Sequence, residues 1–316
     1  MRKLISIIAP VYNEEANVRD LYERVNSALA PIADLYDWEF IFTDNHSEDK
    51  TFDVIESLAS TDKRIRAFRF SRNFGFQRSI LTGYRLAKGD IAVQIDCDLQ
   101  DPPELIRQFV KYWERGYAVV YGVRRHRKEN FILHAARRFF YKLLDTLSEE
   151  KLPQNAGDFR LVDRRILNLL REIDDQEPYL RGFIAGTGFN QIGIEYDRNI
   201  RTAGVSKFGL SDLVKLAVDG LTQHSTVPLR AFTYLGMTMS LGAVGYALFA
   251  IIVWSLDLKS ELPKGWSSLA VGIFLLGGIQ LMGIGILGEY VGRTYKQVKK
   301  RPMTIIERKI DHSSPD

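Results

Sequence analysis

Two carboxylates one residue apart, Asp96 and Asp98, stand in the run IDCDLQDPPE directly behind an apolar stretch. At the end of a buried strand such a pair can turn its oxygens toward one hard cation, and Mg2+ commonly shares its shell with substrate phosphates. The same composition also describes a solvated turn, so the surroundings decide. Here the preceding strand is apolar, and Pro102-Pro103 sets the chain's exit ahead of a helix beginning near Glu104. Asp44 occupies a comparable place, followed by Asn45, His46 and Ser47. A carboxylate there can accept hydrogen bonds from a base or ribose, or close an Asx turn or cap the helix behind it. His46 reads as an exposed turn residue.

A second group of residues is basic. Arg124, Arg125, Arg127 and Lys128, then Arg137 and Arg138, are interleaved with Phe131, Phe139, Phe140 and Tyr141. Guanidinium groups suit phosphates because they offer a rigid fork of donors. Basic residues among aromatics also suit a membrane surface, and a solvated helix face has the same composition. The net charge of +4 over 316 residues is too mild to suggest nucleic acid. By spacing alone, Gly157-Asp158-Phe159-Arg160 and Ser206-Lys207 read as loops.

The elements that must position these residues alternate. Short apolar runs at 4–11, 38–43, 65–70, 91–95 and 118–121 read as strands, and 17–29 and 51–59 carry helical spacing. Strands alternating with helices predict an α/β domain with a mostly parallel sheet, whose ligands gather at the carboxyl ends of the strands. Those ends carry Tyr12-Asn13-Glu14, Asp44-Asn45, Ser71-Arg72-Asn73 and Asp96-Cys97-Asp98. The single cysteine, Cys97, excludes an internal disulfide and a cysteine metal set. The basic, then apolar start MRKLISIIAPVY lacks a small-residue cleavage site, so a buried first strand is expected rather than a signal peptide.

Charged residues are absent from 231–256 and from 267–288. Each run has the length that a membrane-crossing helix needs, about 20 residues; a pair of buried core helices is the alternative. Arg230 flanks one side, and Arg293, Lys296, Lys299, Lys300 and Arg301 flank the other. The excess of positive charge places both chain ends in the cytoplasm, around a hairpin with a small external loop. Neither run carries an internal ionisable residue, which disfavours a transporter. Two such spans also argue against RNA as a ligand. Gly288 and Gly292 have small-xxx-small spacing, which favours close packing of helices and a homo-oligomer. Residues 211–223 space their apolar side chains as an interfacial helix or as one packed on the α/β domain would.

Taken in order, APVYNEE at 9–15, TDNHSEDKT at 43–51, FSRNFGFQRSILTGY at 70–84, IDCDLQDPPE, GVRRHR, GDFRL and GVSKF resemble a known family. The chain is similar to family-two glycosyltransferases of the GT-A fold, specifically the polyprenyl-phosphate glycosyltransferases, and within them most to bactoprenol glucosyltransferases. The resemblance covers nearly the whole chain. It implies a GT-A catalytic domain over 1–165, acceptor-side and interfacial helices over 166–229, a transmembrane hairpin over 230–292 and a basic cytoplasmic tail over 293–316. It implies one sugar moved with inversion, glucose from UDP-glucose, onto a polyprenyl phosphate at the cytoplasmic face of a bacterial inner membrane. GDP-mannose or a UDP-amino sugar is the alternative donor, and a non-catalytic nucleotide-sugar-binding scaffold is the alternative class.

By the same resemblance, Pro10, Tyr12, Glu14 and Asp44 hold the nucleobase and ribose, with Asp96 near the ribose or metal. Asp98, assisted by Gln100, holds Mg2+ or Mn2+. Asp158 orients or deprotonates the acceptor, and Arg124, Arg137, Arg138, Arg160 and Lys207 are the phosphate contacts. The chain departs from its relatives in carrying Asp44-Asn45-His46-Ser47 where two acidic residues and Gly-Ser are common. It has no QxxRW motif, which favours single-sugar transfer over polymerisation.

Overall fold

The structure is a computed structural model that describes residues 2–125, 156–197, 266–312 and scattered positions between 232 and 255. Arg127, Lys128, Phe131, Arg137, Arg138, Phe139, Phe140, Tyr141, Ser206, Lys207 and the expected helix at 211–223 lie outside the described residues. The chain divides into two compact units. One comprises Met1–Ala136, Glu150–Lys207 and Lys300–Asp316, and the other Arg137–Glu149 and Phe208–Lys299.

The first unit is organised by β1 (Lys3–Val11), whose last seven residues are all buried. A strand flanked by neighbours on both edges and covered on both faces reads as a continuous apolar run, as LISIIAPV does. It pairs in parallel with β2 (Tyr36–Asp44) on one side and β4 (Ile91–Gln94) on the other, and β2 pairs in parallel with β3 (Ile65–Phe70). Beyond β4 come β6 (Ala156–Asp163), antiparallel, then β5 (Val119–Arg124) and β7 (Gln191–Tyr196). With β8 (Ile306–Ile310) antiparallel to β3, the sheet of eight strands runs β7-β5-β6-β4-β1-β2-β3-β8. This is the α/β, mostly parallel architecture of the GT-A type.

Side chains alternate between two cores. Ile5, Ile7, Ala9 and Val11 face one, packed with α1 (Val18–Leu29), α2 (Thr51–Thr61) and α4 (Ile106–Glu114). Ile8, Ile41 and Ala92 face the other, under α3 (Phe76–Leu86), α5 (Arg164–Glu172) and α6 (Leu180–Gly186). The expected loop at 157–160 is instead part of β6. Phe159 and Leu161 fill the first core and Val162 the second, while the ladder bonds to β4 and β5 hold the polar residues between them. Spacing hides this strand because its second face carries Asp158 and Arg160.

The sheet also draws strands from outside residues 1–165. β8 comes from the tail, and Met303 ahead of it is buried in the second core. Ser71 donates its N–H to the Ile305 carbonyl at 2.9 Å, extending the edge. Across that edge Arg66 is clamped. Its Nε and Nη2 each lie 3.0 Å from an oxygen of Asp311, and Nη1 donates to Glu39 Oε2 at 3.0 Å.

In the second unit, α7 (Trp266–Val298) covers the second charge-free run and exposes Leu269, Ile273, Leu281, Met282 and Ile284. A Cβ added at Gly288 or Gly292 meets nothing within 4 Å. Among the described residues no helix is long and apolar enough to cross a membrane. Most of 231–256 lies outside them, so the hairpin remains a reading of the sequence.

Candidate functional site

The carboxyl ends of β1, β2 and β4 meet in a set of tight turns. Asn13, His46 and Leu99 adopt left-handed backbone (φ 55°, 65° and 58°), one beyond each of these strands. Non-glycine residues take that conformation rarely and gather at functional sites. The first two turns are stitched together. Asn45 N–H donates to the Val11 carbonyl at 2.9 Å, Asn13 N–H to Ser47 Oγ at 3.0 Å, and Glu48 N–H to Asn13 Oδ1 at 2.8 Å.

Inside this stitch lies Asp44, fully buried. Its Oδ1 accepts both the N–H and the hydroxyl of Ser47, at 2.9 and 2.5 Å, so the Asx-turn reading holds. Its Oδ2 is 3.4 Å from Arg69 Nη1. Burial pushes the carboxyl's pKa upward, against the pull of the Ser47 donors and Arg69. Of the other residues expected at the nucleoside, Pro10 is buried in β1 beside Thr43, and Tyr12 is exposed. Glu14 ties down the start of α1, its Oε2 accepting from Asn17 Nδ2 at 2.6 Å.

Beyond β4 stand the paired carboxylates. Gln94 Nε2 donates to Asp96 Oδ1 at 2.8 Å, and Gln100 N–H donates to Asp98 Oδ1 at 3.2 Å. Burial first, then the charges of Asp158, Asp101 and Asp98, push the Asp96 carboxyl up to about 7. Four carboxylates therefore crowd one region. Asp101 is answered locally: Tyr196 donates its hydroxyl to Oδ1, and Arg124 Nη2 is 3.7 Å from Oδ2. Asp158 is answered more strongly. Arg181 approaches with Nε 2.7 Å from Oδ1 and Nη2 2.5 Å from Oδ2, and Arg160 Nη2 lies 3.8 Å from Oδ1. Burial alone would raise the Asp158 carboxyl, but Arg181 and Arg160 hold it below the usual range.

This crowding fits a divalent cation. Among the described residues no three His, Cys, Asp or Glu side chains converge as a complete ligand set. Asp98 and Asp96 would thus act with substrate oxygens, the way Mg2+ is usually held. A cation there would offset the burial and the neighbouring negative charges that raise Asp96.

The structure therefore brings together Asp96, Asp98, Asp158, Arg124 and Arg160, and orders Asp44 on the neighbouring strand ends. Arg137, Arg138 and Lys207 lie outside the described residues. Sequence reasoning missed Arg181, Asp101 and Tyr196. Asp101 stands inside IDCDLQDPPE and was within reach of that motif, whereas nothing around Arg181 marks it. A Cβ at Gly157 would sit 3.1 Å from Arg124 Nη2, so a side chain there requires that guanidinium to give by a few tenths of an ångström.

Beneath this group, the Tyr84 hydroxyl is buried and has no hydrogen-bond partner among the described residues. A hydroxyl desolvated without a partner costs about 1–3 kcal/mol. Tyr84→Phe is therefore expected to leave the melting temperature unchanged or slightly raised. A clear fall in thermal unfolding experiments would contradict that reading.

Comparison with known proteins places these motifs. The profile described as "Glycosyl transferase family 2" matches residues 6–170. An uncharacterised glycosyltransferase of Bacillus subtilis, YkcC, is 37% identical over 304 residues, covering 96% of this chain and 93% of its own. The SfII prophage-derived bactoprenol glucosyl transferase of Shigella flexneri is 36% identical over 307 residues, covering 96% and 97%. Among solved structures, the mannosyltransferase PcManGT from Pyrobaculum calidifontis, in complex with GDP-Man and Mn2+, matches with 19% identity. That match covers 96% of this chain and 89% of the other, with a TM-score of 0.48.

Proposed function

The chain belongs to glycosyl transferase family 2, and on that footing we propose that it transfers one glucose from UDP-glucose, with inversion, to a polyprenyl phosphate. The observation that carries the proposal is the strand-end cluster in which Asp96 and Asp98 stand beside the Asp158–Arg181–Arg160 group. It offers carboxylates for a cation-bound diphosphate next to guanidinium groups suited to a second phosphate. The bactoprenol glucosyl transferase names of relatives at 36% identity support the choice of acceptor and sugar.

The chain's own residues divide the work. The turn around Asp44 orders the pocket expected to take the nucleoside. Asp98 and Asp96 face the donor diphosphate, where bound Mg2+ or Mn2+ supplies Lewis-acid neutralisation of the charge on the leaving nucleoside diphosphate. An acceptor phosphate oxygen forms the new bond to the anomeric carbon while the bond from that carbon to the diphosphate breaks, from the opposite face. A phosphate monoester has a second pKa of about 6, so it is largely ionised at neutral pH and needs no strong base. Asp158, locked to Arg181, acts in orientation rather than as a free base. Rate then comes from positioning and fixed charge.

A lipid acceptor also gives a reason for the two charge-free runs, since a polyprenyl tail stays in the bilayer. We place the catalytic unit and both termini on the cytoplasmic side of a bacterial inner membrane, with self-association through the glycine-rich second run.

Transfer of radiolabelled sugar from UDP-glucose to undecaprenyl phosphate, with UDP-galactose, UDP-N-acetylglucosamine and GDP-mannose in parallel, tests this directly. Label entering lipid from UDP-glucose and stopping with EDTA is the expected result. Transfer from another donor keeps the reaction and changes the sugar; no transfer from any donor refutes it.

A further inference from the structure

Three arginines surround the acidic cluster, and they differ in what they have left to offer. The Arg160 guanidinium is 7% exposed, and its Nη2 donates to the Gly157 carbonyl at 3.0 Å. Arg124 lies against Asp101 and within 3.4 Å of the Tyr196 hydroxyl. Arg181 is 38% exposed although two of its nitrogens are engaged by Asp158. Its third nitrogen, Nη1, has no hydrogen-bond partner among the described residues.

A bidentate carboxylate fixes a guanidinium plane as few other contacts do. Asp158 thus holds Arg181 in one orientation without covering it. Around Asp158 itself two guanidinium groups, Arg160 and Arg181, share one carboxylate, while Asp101 is answered by Arg124 and Tyr196 and Asp96 and Asp98 are left for a cation. A phosphate approaching from solvent meets a fixed cationic edge and pays no side-chain ordering cost to use it.

We infer that Arg181, aimed by Asp158, is a phosphate-contacting residue of the acceptor subsite. This deepens the proposed transfer reaction and rests on it for the identity of the acceptor, an isoprenoid phosphate. The motif GDFRL then has a role as a holder, with Asp158 setting the guanidinium that touches the substrate.

The test compares the full-length wild-type protein with Arg181→Ala and Arg181→Lys, purified in detergent. Farnesyl phosphate and UDP serve as separate calorimetric probes, and acceptor KM is measured apart from donor KM. In Arg181→Ala, farnesyl phosphate affinity is expected to fall at least about 10-fold, with acceptor KM rising alike and UDP affinity within about twofold. Arg181→Lys, which keeps the charge and loses the fork, should recover part of that affinity. Equal farnesyl phosphate affinity in wild type and Arg181→Ala overturns the inference. So does joint loss of UDP and farnesyl phosphate binding in Arg181→Ala together with a lowered melting temperature, which would make Arg181 a strut of the fold. A wild-type protein that binds farnesyl phosphate through Arg181 yet moves no sugar refutes the transfer reaction and leaves the phosphate site standing.

Discussion

Asp98→Ala is expected to lower turnover at least roughly 100-fold, the scale of losing one preorganised electrostatic contact in a transition state. Asp98 directly precedes left-handed Leu99 in the turn beyond β4 and accepts from the Gln100 N–H, outside either hydrophobic core. Its loss should therefore leave the melting temperature within a degree or two. The carboxylates around it repel one another, since Asp98 is among the charges that raise Asp96. Removing one makes the empty protein no less stable and the loaded site far weaker. The measurement pairs sugar transfer over a Mg2+ titration with thermal unfolding of the same preparation. Turnover retained at saturating Mg2+ would remove Asp98 from the metal site.

Arg66→Ala is expected to give the largest loss of stability, about 3–5 kcal/mol, because it strands buried charge. Arg66 and Glu39 are 8% and 9% exposed, and Arg66 joins Glu39 on β2 to Asp311 in the tail. Glu39 keeps the Ser6 hydroxyl at 2.6 Å and the Lys88 N–H at 2.8 Å, but among the described residues no second cation pairs with it. A fall in melting temperature of roughly 10 °C follows from that magnitude for a unit of this size. Arg66→Lys should lose less, since it keeps the charge while giving up the bidentate contact with Asp311. A change below about 1 kcal/mol would mean that water reaches Glu39 readily.

The parts of this architecture legible in the sequence are those where burial acts on a whole segment. β1, β2 and β3 are covered on both faces, so each appears as an apolar run bounded by polar turns. Asp44, Asp96 and Asp98 were then visible as carboxylates directly behind such runs. β6 escaped notice because Asp158 and Arg160 are buried through pairing, a long-range fact that no local period records. Arg181 escaped for the same reason: its partner lies 23 residues away, and only the tertiary fold brings them together. β8, the IERKI strand, carries charge along an edge, which is how natural sheets blunt their margins and also how they disguise them.

The position of β8 in the chain also ties the sheet to the order of synthesis. A ribosome delivers β1 to β7 first, then the two charge-free runs, and only afterwards residues 306–310. Until then the β3 edge has no partner, Arg66 lacks Asp311, and Met303 has not closed the core. An open edge of that kind invites pairing with the wrong chain. A nascent polypeptide thus completes its catalytic sheet only after its most hydrophobic segments have emerged, so that a prematurely terminated product would carry the acidic cluster on an unfinished scaffold.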